Sequence, residues 1–385
     1  MNRIKNITND LILVVLSLLS FAIILLNLGS LPLIMAILLS SFLIIINLKE
    51  IKWYFLILLP INIFSCLCTL LFYEGTGVVL IFLTLFMLCL VVNFVSFSKK
   101  TRKIVYLIGA ASIILLVVTA NSISFSVDWL VLYDVHRNLV NNNTLGMYSV
   151  ALCFSLLLWN DLRESKKFKK LLSVIIYIVG FACAYITGCR SALFVLLLYF
   201  VLHKIIKKEL KIKSFRFIVI CFLIVSLAFT VFYVMLYSAL PNITFLGKSL
   251  FSGRELVWKD AFSQIFESPL FGTGTAFLMS GFESPHNMLL GIWKNVGLIP
   301  LISIVLAFVV GKRVSLSRKQ QIMIISFCLF TFFESFMMDQ HFLFLFAFLM
   351  LGEKKNKVEE IKNIEQDVIV EKTVENTENI VETVE

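Results

Sequence analysis

Charged residues are scarce in this chain, and their scarcity excludes a large soluble protein. Only 15% of the 385 residues are charged, whereas soluble globular proteins carry about 25%. Hydrophobic residues make up 59% of the chain and the mean hydropathy is +0.95. A soluble fold of this size could not cover its surface with so few charges. The composition therefore predicts a protein that is mostly buried in a lipid bilayer.

Motifs for metal, ATP and nucleic-acid chemistry are also lacking. The eight cysteines form no Cys-x-x-Cys pair and most lie in apolar runs, so they predict no disulfide or metal framework. Gly272-x-Gly274 lacks the βαβ context of a dinucleotide loop, and no His-Glu-x-x-His or P-loop motif is present. The net charge of +10 does not indicate nucleic acid, because basic residues form short clusters between apolar runs.

Long apolar runs are what the chain does contain. They are about 18–22 residues long, enough for a helix to cross a bilayer, and they lack the alternation of a membrane β-strand. The runs predict an all-α, polytopic transmembrane bundle over residues 1–352, with a large external loop at about 238–286 between spans nine and ten. The twelve predicted spans are 11–28, 31–48, 53–72, 77–97, 104–124, 144–160, 171–187, 191–203, 217–237, 287–310, 321–337 and 340–352.

The distribution of positive charge predicts the sidedness of these spans. With a cytoplasmic N-terminus, the inner connections carry 23 Lys and Arg residues before the tail, whereas the outer loops and the tenth span carry six. Cytoplasmic loops are enriched in Lys and Arg, so both termini are predicted to be cytoplasmic. The tail at 353–385 holds ten acidic residues and five lysines, and it is predicted to be disordered or a weak helix.

Three arginines lie on the outer side, where positive charge is not needed for orientation. Arg190 stands between two apolar runs, and an arginine inside a membrane costs at least about 2.5–3.5 kcal/mol. Arg254 opens a predicted amphipathic helix that ends before Pro269, and Arg137 lies in the first long outer segment. Each could be a solvated or snorkelling side chain. Together they predict a site for an anion such as phosphate.

Further titratable residues are predicted near these arginines. His286 precedes Asn287 where the external loop re-enters the membrane, a position suited to a general base or to a structural hydrogen bond. Glu334, Asp339 and His341 surround the last outer turn and could pair with the arginines. Arginines and one histidine fit group transfer from a lipid diphosphate, where negative charge grows on the leaving group. A transporter of a lipid-linked anion would also use the arginines.

Three segments resemble the O-antigen polymerase and ligase superfamily, which are membrane glycosyltransferases. The first is residues 137–146, an arginine followed by an Asn-rich entry to a span. The second is residues 187–193, in which Cys189 replaces the family's usual serine. The third and most specific comprises Gly253-Arg254-Glu255, Trp258, the Pro-Leu-Phe-Gly-x-Gly run at 269–274, Pro285-His286-Asn287, Leu290 and Gly297-Leu298.

The resemblance implies polymerisation of undecaprenyl-diphosphate-linked oligosaccharide repeat units at the outer face of a bacterial cytoplasmic membrane, without a metal or cofactor. It implies His286, Arg254 and Arg190 as catalytic residues. It also implies substrate-binding roles for Arg137, Asn143, Trp258, Asn287 and Glu334. Membrane lipid, a chain-length regulator and a flippase are the expected partners. An O-antigen ligase acting on a lipid A-type acceptor, or a non-enzymatic flippase, remain the alternatives.

Overall fold

The computed structural model describes residues 2–26, 28–73, 75–126, 129–134, 139–164, 168–236, 244–245, 248–249, 254–274, 285–310, 314–334 and 340–354. Within these ranges the chain is all-α, with only short strands. The first five helices are α1 (Asn2–Leu25), α2 (Leu31–Ile46), α3 (Trp53–Phe72), α4 (Thr76–Phe94) and α5 (Lys99–Val118). The later helices are α6 (Asn142–Asp161), α7 (Lys169–Ile186), α8 (Arg190–Ile205), α9 (Ile212–Leu236), α10 (Arg254–Glu267), α11 (Met288–Val296), α12 (Leu298–Val310), α13 (Arg318–Phe327), α14 (Phe330–Phe333) and α15 (Gln340–Leu349).

The strands of the described residues form three small antiparallel groups. The largest lies between α5 and α6 and consists of β1 (Ser122–Ser126), β2 (Trp129–Tyr133) and β3 (Leu139–Val140) in that order. The others are hairpin-like pairs, β4 (Thr244–Phe245) with β5 (Lys248–Ser249) and β6 (Val314–Ser315) with β7 (Glu353–Lys354). The fifth predicted span was therefore too long, because α5 ends at Val118 and the predicted residues 122–124 belong to β1.

Five helices, α2, α3, α11, α12 and α15, pack against α4, which has no polar face. Within its most apolar window 78% of the residues are buried, compared with 17% in α7 and 22% in α9. Large apolar side chains on α3, α7 and α9 are instead exposed, including Phe64, Ile178 and Phe232. Exposed apolar stripes of this size are expected on helices that face lipid. The chain is therefore a helical membrane protein.

Six of the described helices are long and apolar enough to cross a membrane: α1, α3, α4, α5, α7 and α9. Two of the predicted spans are broken helices. The tenth is divided into α11 and α12 at Gly297, whose φ of +92° no helix can accommodate. The eleventh is divided into α13 and α14 by a turn at Cys328 and Leu329. The number of twelve spans remains a prediction.

The two ends of the bundle differ in chemistry. At one end, which we call the basic end, Arg318 at the start of α13 donates to the carbonyl oxygens of His203 and Ile206 where α8 ends. Lys319 pairs with Asp161 at the end of α6, with 2.6 Å between Nζ and Oδ1. The opposite end, which we call the site end, carries the starts of α6 and α8. The assignment of the basic end to the cytoplasm remains a prediction.

Candidate functional site

Three helices begin close to one another at the site end, and residues at or just before their starts contact a single carboxylate. Arg254 is the first residue of α10, Ser191 is the second residue of α8, and His286 lies two residues before α11. Glu334 follows α14 and is only 3% exposed. Helix N-termini carry partial positive charge and orient backbone N–H groups outward. Their convergence produces a locally electropositive region that the Glu334 carboxylate occupies.

The contacts to Glu334 define the geometry of this site. The Arg254 guanidinium donates from Nη2 to Glu334 Oε1 at 3.0 Å, and Ser191 Oγ donates to the same oxygen at 3.3 Å. His286 Nδ1 lies 3.7 Å from Oε2, the other oxygen of the carboxylate. One carboxylate therefore orients a guanidinium, a hydroxyl and an imidazole at once. Charge-assisted contacts of this kind hold long side chains in one orientation.

Arg190 adds a second positive charge beside Arg254. It is the first residue of α8 and is half-buried. Partial burial, followed by the positive charge of Arg254, lowers the pKa of Arg190 below its usual value, yet a guanidinium remains charged at neutral pH. The mutual repulsion of two guanidinium groups is relieved when an anion lies between them. The pair is therefore suited to binding a group with more than one negative charge.

Cys189 fixes the position of Arg190 and is chemically inert. Its thiol is fully buried, 3.7 Å from the carbonyl oxygen of Asn143 and 3.2 Å from Ser191 Oγ. Burial, with the nearby Glu334 charge, raises the pKa of the Cys189 thiol to about 12, so the nucleophilic thiolate is not populated at pH 7. A Cβ added at Gly146 would lie 2.2 Å from Cys189 Cβ. This close approach binds α6 tightly to the start of α8.

His286 has a left-handed backbone conformation, with φ of +48°. Non-glycine residues rarely adopt this conformation, and where they do the surrounding structure must hold it. On one side, the Trp258 indole donates from Nε1 to the carbonyl oxygen of Pro285 at 2.7 Å. Trp258 is fully buried between Phe229 and Tyr233. The helix α10 therefore determines where the imidazole is held.

Asn287 holds the other side of His286. Its Oδ1 accepts from the backbone N–H of Leu290 at 3.0 Å and so caps α11. Its Nδ2 donates to Thr230 Oγ1 of α9 at 3.0 Å and lies 3.5 Å from Ser226 Oγ. The same amide is 3.5 Å from the carbonyl oxygen of Phe332 in α14. One buried amide therefore connects three helices around the site.

The Pro-Leu-Phe-Gly-x-Gly run is a structural element that packs into the break between α11 and α12. The Thr273 N–H donates to the carbonyl oxygen of Lys294 at 2.7 Å, and the Leu298 N–H donates to that of Pro269 at 3.0 Å. Gly272 has φ of +73°, and a Cβ there would lie 2.5 Å from the Asn295 backbone. Gly274 also has a positive φ, +63°, and its N–H donates to the Asn295 carbonyl oxygen at 3.0 Å. Backbone contact therefore explains the spacing of the two glycines without a phosphate-binding role.

Gly297→Ala is expected to disrupt folding at the site end. A Cβ at this position would lie 2.0 Å from the Leu270 carbonyl oxygen, and its φ of +92° is unfavourable for alanine. We expect a loss of at least about 3 kcal/mol in stability, seen as a lower thermal midpoint and less monodisperse protein in detergent. Gly77→Ala in α4 is the control, because nothing lies within 4 Å of its added Cβ. Equal midpoints for both variants would contradict this account of Gly297.

The structure brings together most of the residues predicted to form the site. Arg190, Arg254, His286 and Glu334 lie in one cluster, and Asn143 reaches it through its backbone carbonyl. Arg137 and Asp339 lie outside the described residues.

Three of the predicted residues have roles that the sequence did not indicate. Trp258 and Asn287, predicted to bind substrate, are fully buried, and their contacts hold His286. The prediction that His341 could pair with the arginines is wrong, because this buried side chain lies against Ser112 Oγ at 3.0 Å and the Tyr148 ring.

Ser191 and Thr230 belong to the site but were not predicted from the sequence. Both are small hydroxyl residues within apolar runs, and only their positions next to Arg190 and opposite Asn287 reveal a role at the site. The sequence contains a signal for Ser191, because it directly follows the arginine at the start of a helix. Thr230 has no comparable signal, since it lies in the middle of α9.

Comparison with known protein families identifies the region of the chain that contains this site. Residues 172–305 match the family described as O-antigen ligase, the Wzy_C domain. The matched range runs from α7 into α12 and includes Arg190, Arg254 and His286. No curated protein and no solved structure matches the chain.

Proposed function

We propose that this chain, whose residues 172–305 belong to the O-antigen polymerase and ligase superfamily, polymerises surface polysaccharide. Its substrates are oligosaccharide repeat units linked to undecaprenyl diphosphate, at the outer face of the bacterial cytoplasmic membrane. A growing glycan is transferred from its lipid diphosphate to a hydroxyl of the next lipid-linked unit. The product is the polymer of a capsule, an exopolysaccharide or an O-antigen.

The observation that carries this proposal is the joining of Arg254 and His286 by Glu334. Transfer from a lipid diphosphate needs positive charge where the diphosphate leaves and a base where the acceptor hydroxyl attacks. Arg190 and Arg254 supply two adjacent cations, and the starts of α8 and α10 add their helix dipoles. The imidazole lies on the other side of the same carboxylate. The two requirements are thus met within one cluster.

The proposed reaction forms one glycosidic bond and breaks the bond between the donor glycan and its diphosphate. The acceptor hydroxyl oxygen forms a bond to the anomeric carbon of the donor glycan, and the bond between that carbon and the diphosphate oxygen breaks. The electron pair of the broken bond remains on the diphosphate, whose new negative charge is stabilised by Arg190 and Arg254. The hydroxyl proton passes to His286. With a proton on Nδ1 directed to Glu334, Nε2 is the basic nitrogen.

Glu334 is proposed to act on both partners of the reaction. Its negative charge stabilises the imidazolium that forms when His286 accepts a proton. It also holds the Arg254 guanidinium before the donor arrives, so that the guanidinium is already oriented. When the diphosphate binds, its oxygens compete with Glu334 Oε1 for Arg254. The Glu334 carboxylate therefore occupies part of the anion site until the larger diphosphate binds.

The proposal is tested by reconstitution of the purified full-length protein in liposomes with the complete lipid-linked repeat unit. Polymer longer than one unit, formed without any nucleotide sugar, is the expected result. If no polymer forms but glycan is transferred to a lipid A-type acceptor supplied in parallel, the protein is a ligase and the polymerase proposal is wrong. Movement of the intact lipid between leaflets with no transfer to either acceptor would overturn the enzymatic proposal in favour of a flippase.

A further inference from the structure

The three-stranded sheet between α5 and α6 presents a small polar surface at the site end. In its register Ser122 pairs with Tyr133, Ser124 with Val131 and Ile123 with Leu132. Directly paired residues of an antiparallel sheet point to the same face, and successive residues alternate between faces. One face therefore carries Ser122, Ser124 and Tyr133. Leu132, on the other face, is fully buried.

The serines and the tyrosine of this face are open to solvent. Ser122 and Ser124 are exposed, and the Tyr133 side chain is 38% exposed. β1 is also an edge strand among the described strands, so its backbone groups are available on one side. An exposed aromatic ring beside hydroxyl groups offers an apolar platform and hydrogen-bonding groups together. We name Ser122, Ser124 and Tyr133 the serine–tyrosine face.

The charge of this segment restricts what the face can bind. The described residues of the two strands and their flanks, 119–126 and 129–134, carry one charged residue, Asp134, and no lysine or arginine, and Arg137 follows in the connection to β3. Anionic headgroups and acidic peptides are recognised by basic side chains, which these two strands lack. A neutral ligand with many hydroxyl groups and apolar C–H faces is the complementary chemistry. Glycans have this character.

The sheet that carries the serine–tyrosine face is joined to the proposed reaction site by a short segment of chain. β3 ends at Val140, which packs against the main core, and the Asn143 carbonyl oxygen lies 3.7 Å from the Cys189 thiol beside Arg190. Three residues of chain span at most about 10 Å. The sheet is therefore connected to the α8 end of the site by a short segment fixed at both ends. A glycan attached to a diphosphate held by Arg190 can reach it.

We propose that the serine–tyrosine face is a glycan-binding subsite that holds sugars of the lipid-linked substrate beyond the sugar that reacts. This inference rests on the proposed function, since the identity of the glycan follows from it. The Tyr133 ring stacks on a sugar face, and Ser122 and Ser124 exchange hydrogen bonds with its hydroxyls. The subsite thereby favours long glycans over single sugars.

A binding experiment on the full-length protein in nanodiscs tests this subsite. The probes are undecaprenyl diphosphate carrying only the first sugar, and the same lipid carrying one complete repeat unit. Tyr133→Ala is expected to raise the Kd for the complete unit about fivefold to tenfold, the contribution of one aromatic contact. The Kd for the one-sugar lipid is expected to change by less than about twofold. Ser122→Val with Ser124→Val is expected to act in the same direction.

Ile123→Ala is the matched control, because Ile123 lies between the two serines on the opposite face and is also exposed. It is expected to leave both Kd values unchanged. Equal weakening of both lipids by Tyr133→Ala, or no weakening of either, would overturn the subsite. A strand from another protein, added to the edge of β1, would use backbone groups and leave both Kd values unchanged.

The outcome also separates this inference from the proposed function. If binding depends on Tyr133 but no polymer forms in the liposome assay, the polymerase proposal is wrong and the glycan subsite stands. Polymer formation with identical Kd values for the wild type and Tyr133→Ala would overturn only the subsite.

Discussion

Arg254→Gln is expected to reduce polymer formation by about two to three orders of magnitude, the usual cost of removing one donor to a developing charge. The guanidinium faces both Glu334 and Arg190 at the start of α10, so glutamine removes its charge where the leaving diphosphate needs it. Arg254→Lys retains the charge but not the planar fork, and an intermediate rate is expected. The initial rate of polymerisation in liposomes, at saturating lipid-linked unit, measures both effects.

Two further variants make the Arg254 result interpretable. Lys259→Gln removes the same charge from an exposed position on the same helix, and it is expected to retain full activity. Arg254→Gln also leaves the buried Glu334 carboxylate without its guanidinium, which destabilises the fold. Adding Glu334→Gln removes that charge, so the double variant is expected to fold better and to remain inactive. Equal rates for Arg254→Gln and Lys259→Gln would rule out a role for Arg254 in the reaction.

His286→Asn is expected to lower the rate by about two to four orders of magnitude, the range attributed to a general base. Asparagine tolerates the left-handed backbone better than other replacements, so the φ of +48° at this position can persist. The substitution therefore removes the imidazole with little change to Pro285 and Asn287. Polymerisation rate and the Kd for the lipid-linked unit are measured together. We expect the rate to fall and the Kd to remain within about threefold.

A second histidine provides the control for this substitution. His203 lies at the end of α8, where its backbone carbonyl accepts from Arg318, and it belongs to the basic end. His203→Asn is expected to leave the rate unchanged. If His286→Asn weakened binding as much as it slowed transfer, the histidine would be a substrate-binding residue and not the base.

The residues at the centre of the site could be found from sequence because they conflict with their surroundings. Arg190, Arg254 and His286 stand near apolar runs on the side that basic residues avoid, and burying such groups is costly unless they have a partner. The helix α10 was also predictable, because apolar residues at helical spacing precede Pro269. Its observed end at Glu267 confirms that prediction.

Other parts of the site could not be predicted because they depend on contacts between distant segments. Trp258 and Asn287 have the residue types of substrate-binding groups, yet both are enclosed by helices that the sequence does not place beside them. Glycines at 272 and 297 are explained only by the two backbones that meet there. Similarly, β1 was interpreted as the end of a span, because an Ile- and Phe-containing segment has the same hydropathy in either structure.

The sequence by itself determined that the chain is a helical membrane protein, since length and hydropathy of the apolar runs depend only on local composition. It also identified the cationic residues, because an unexplained charge is visible without any structure. Only the tertiary structure decided that the starts of α8, α10 and α11 meet at Glu334, 80 residues beyond Arg254 in the chain. Hydropathy specifies how far a helix extends. Which helix ends become neighbours is set by side-chain packing between segments.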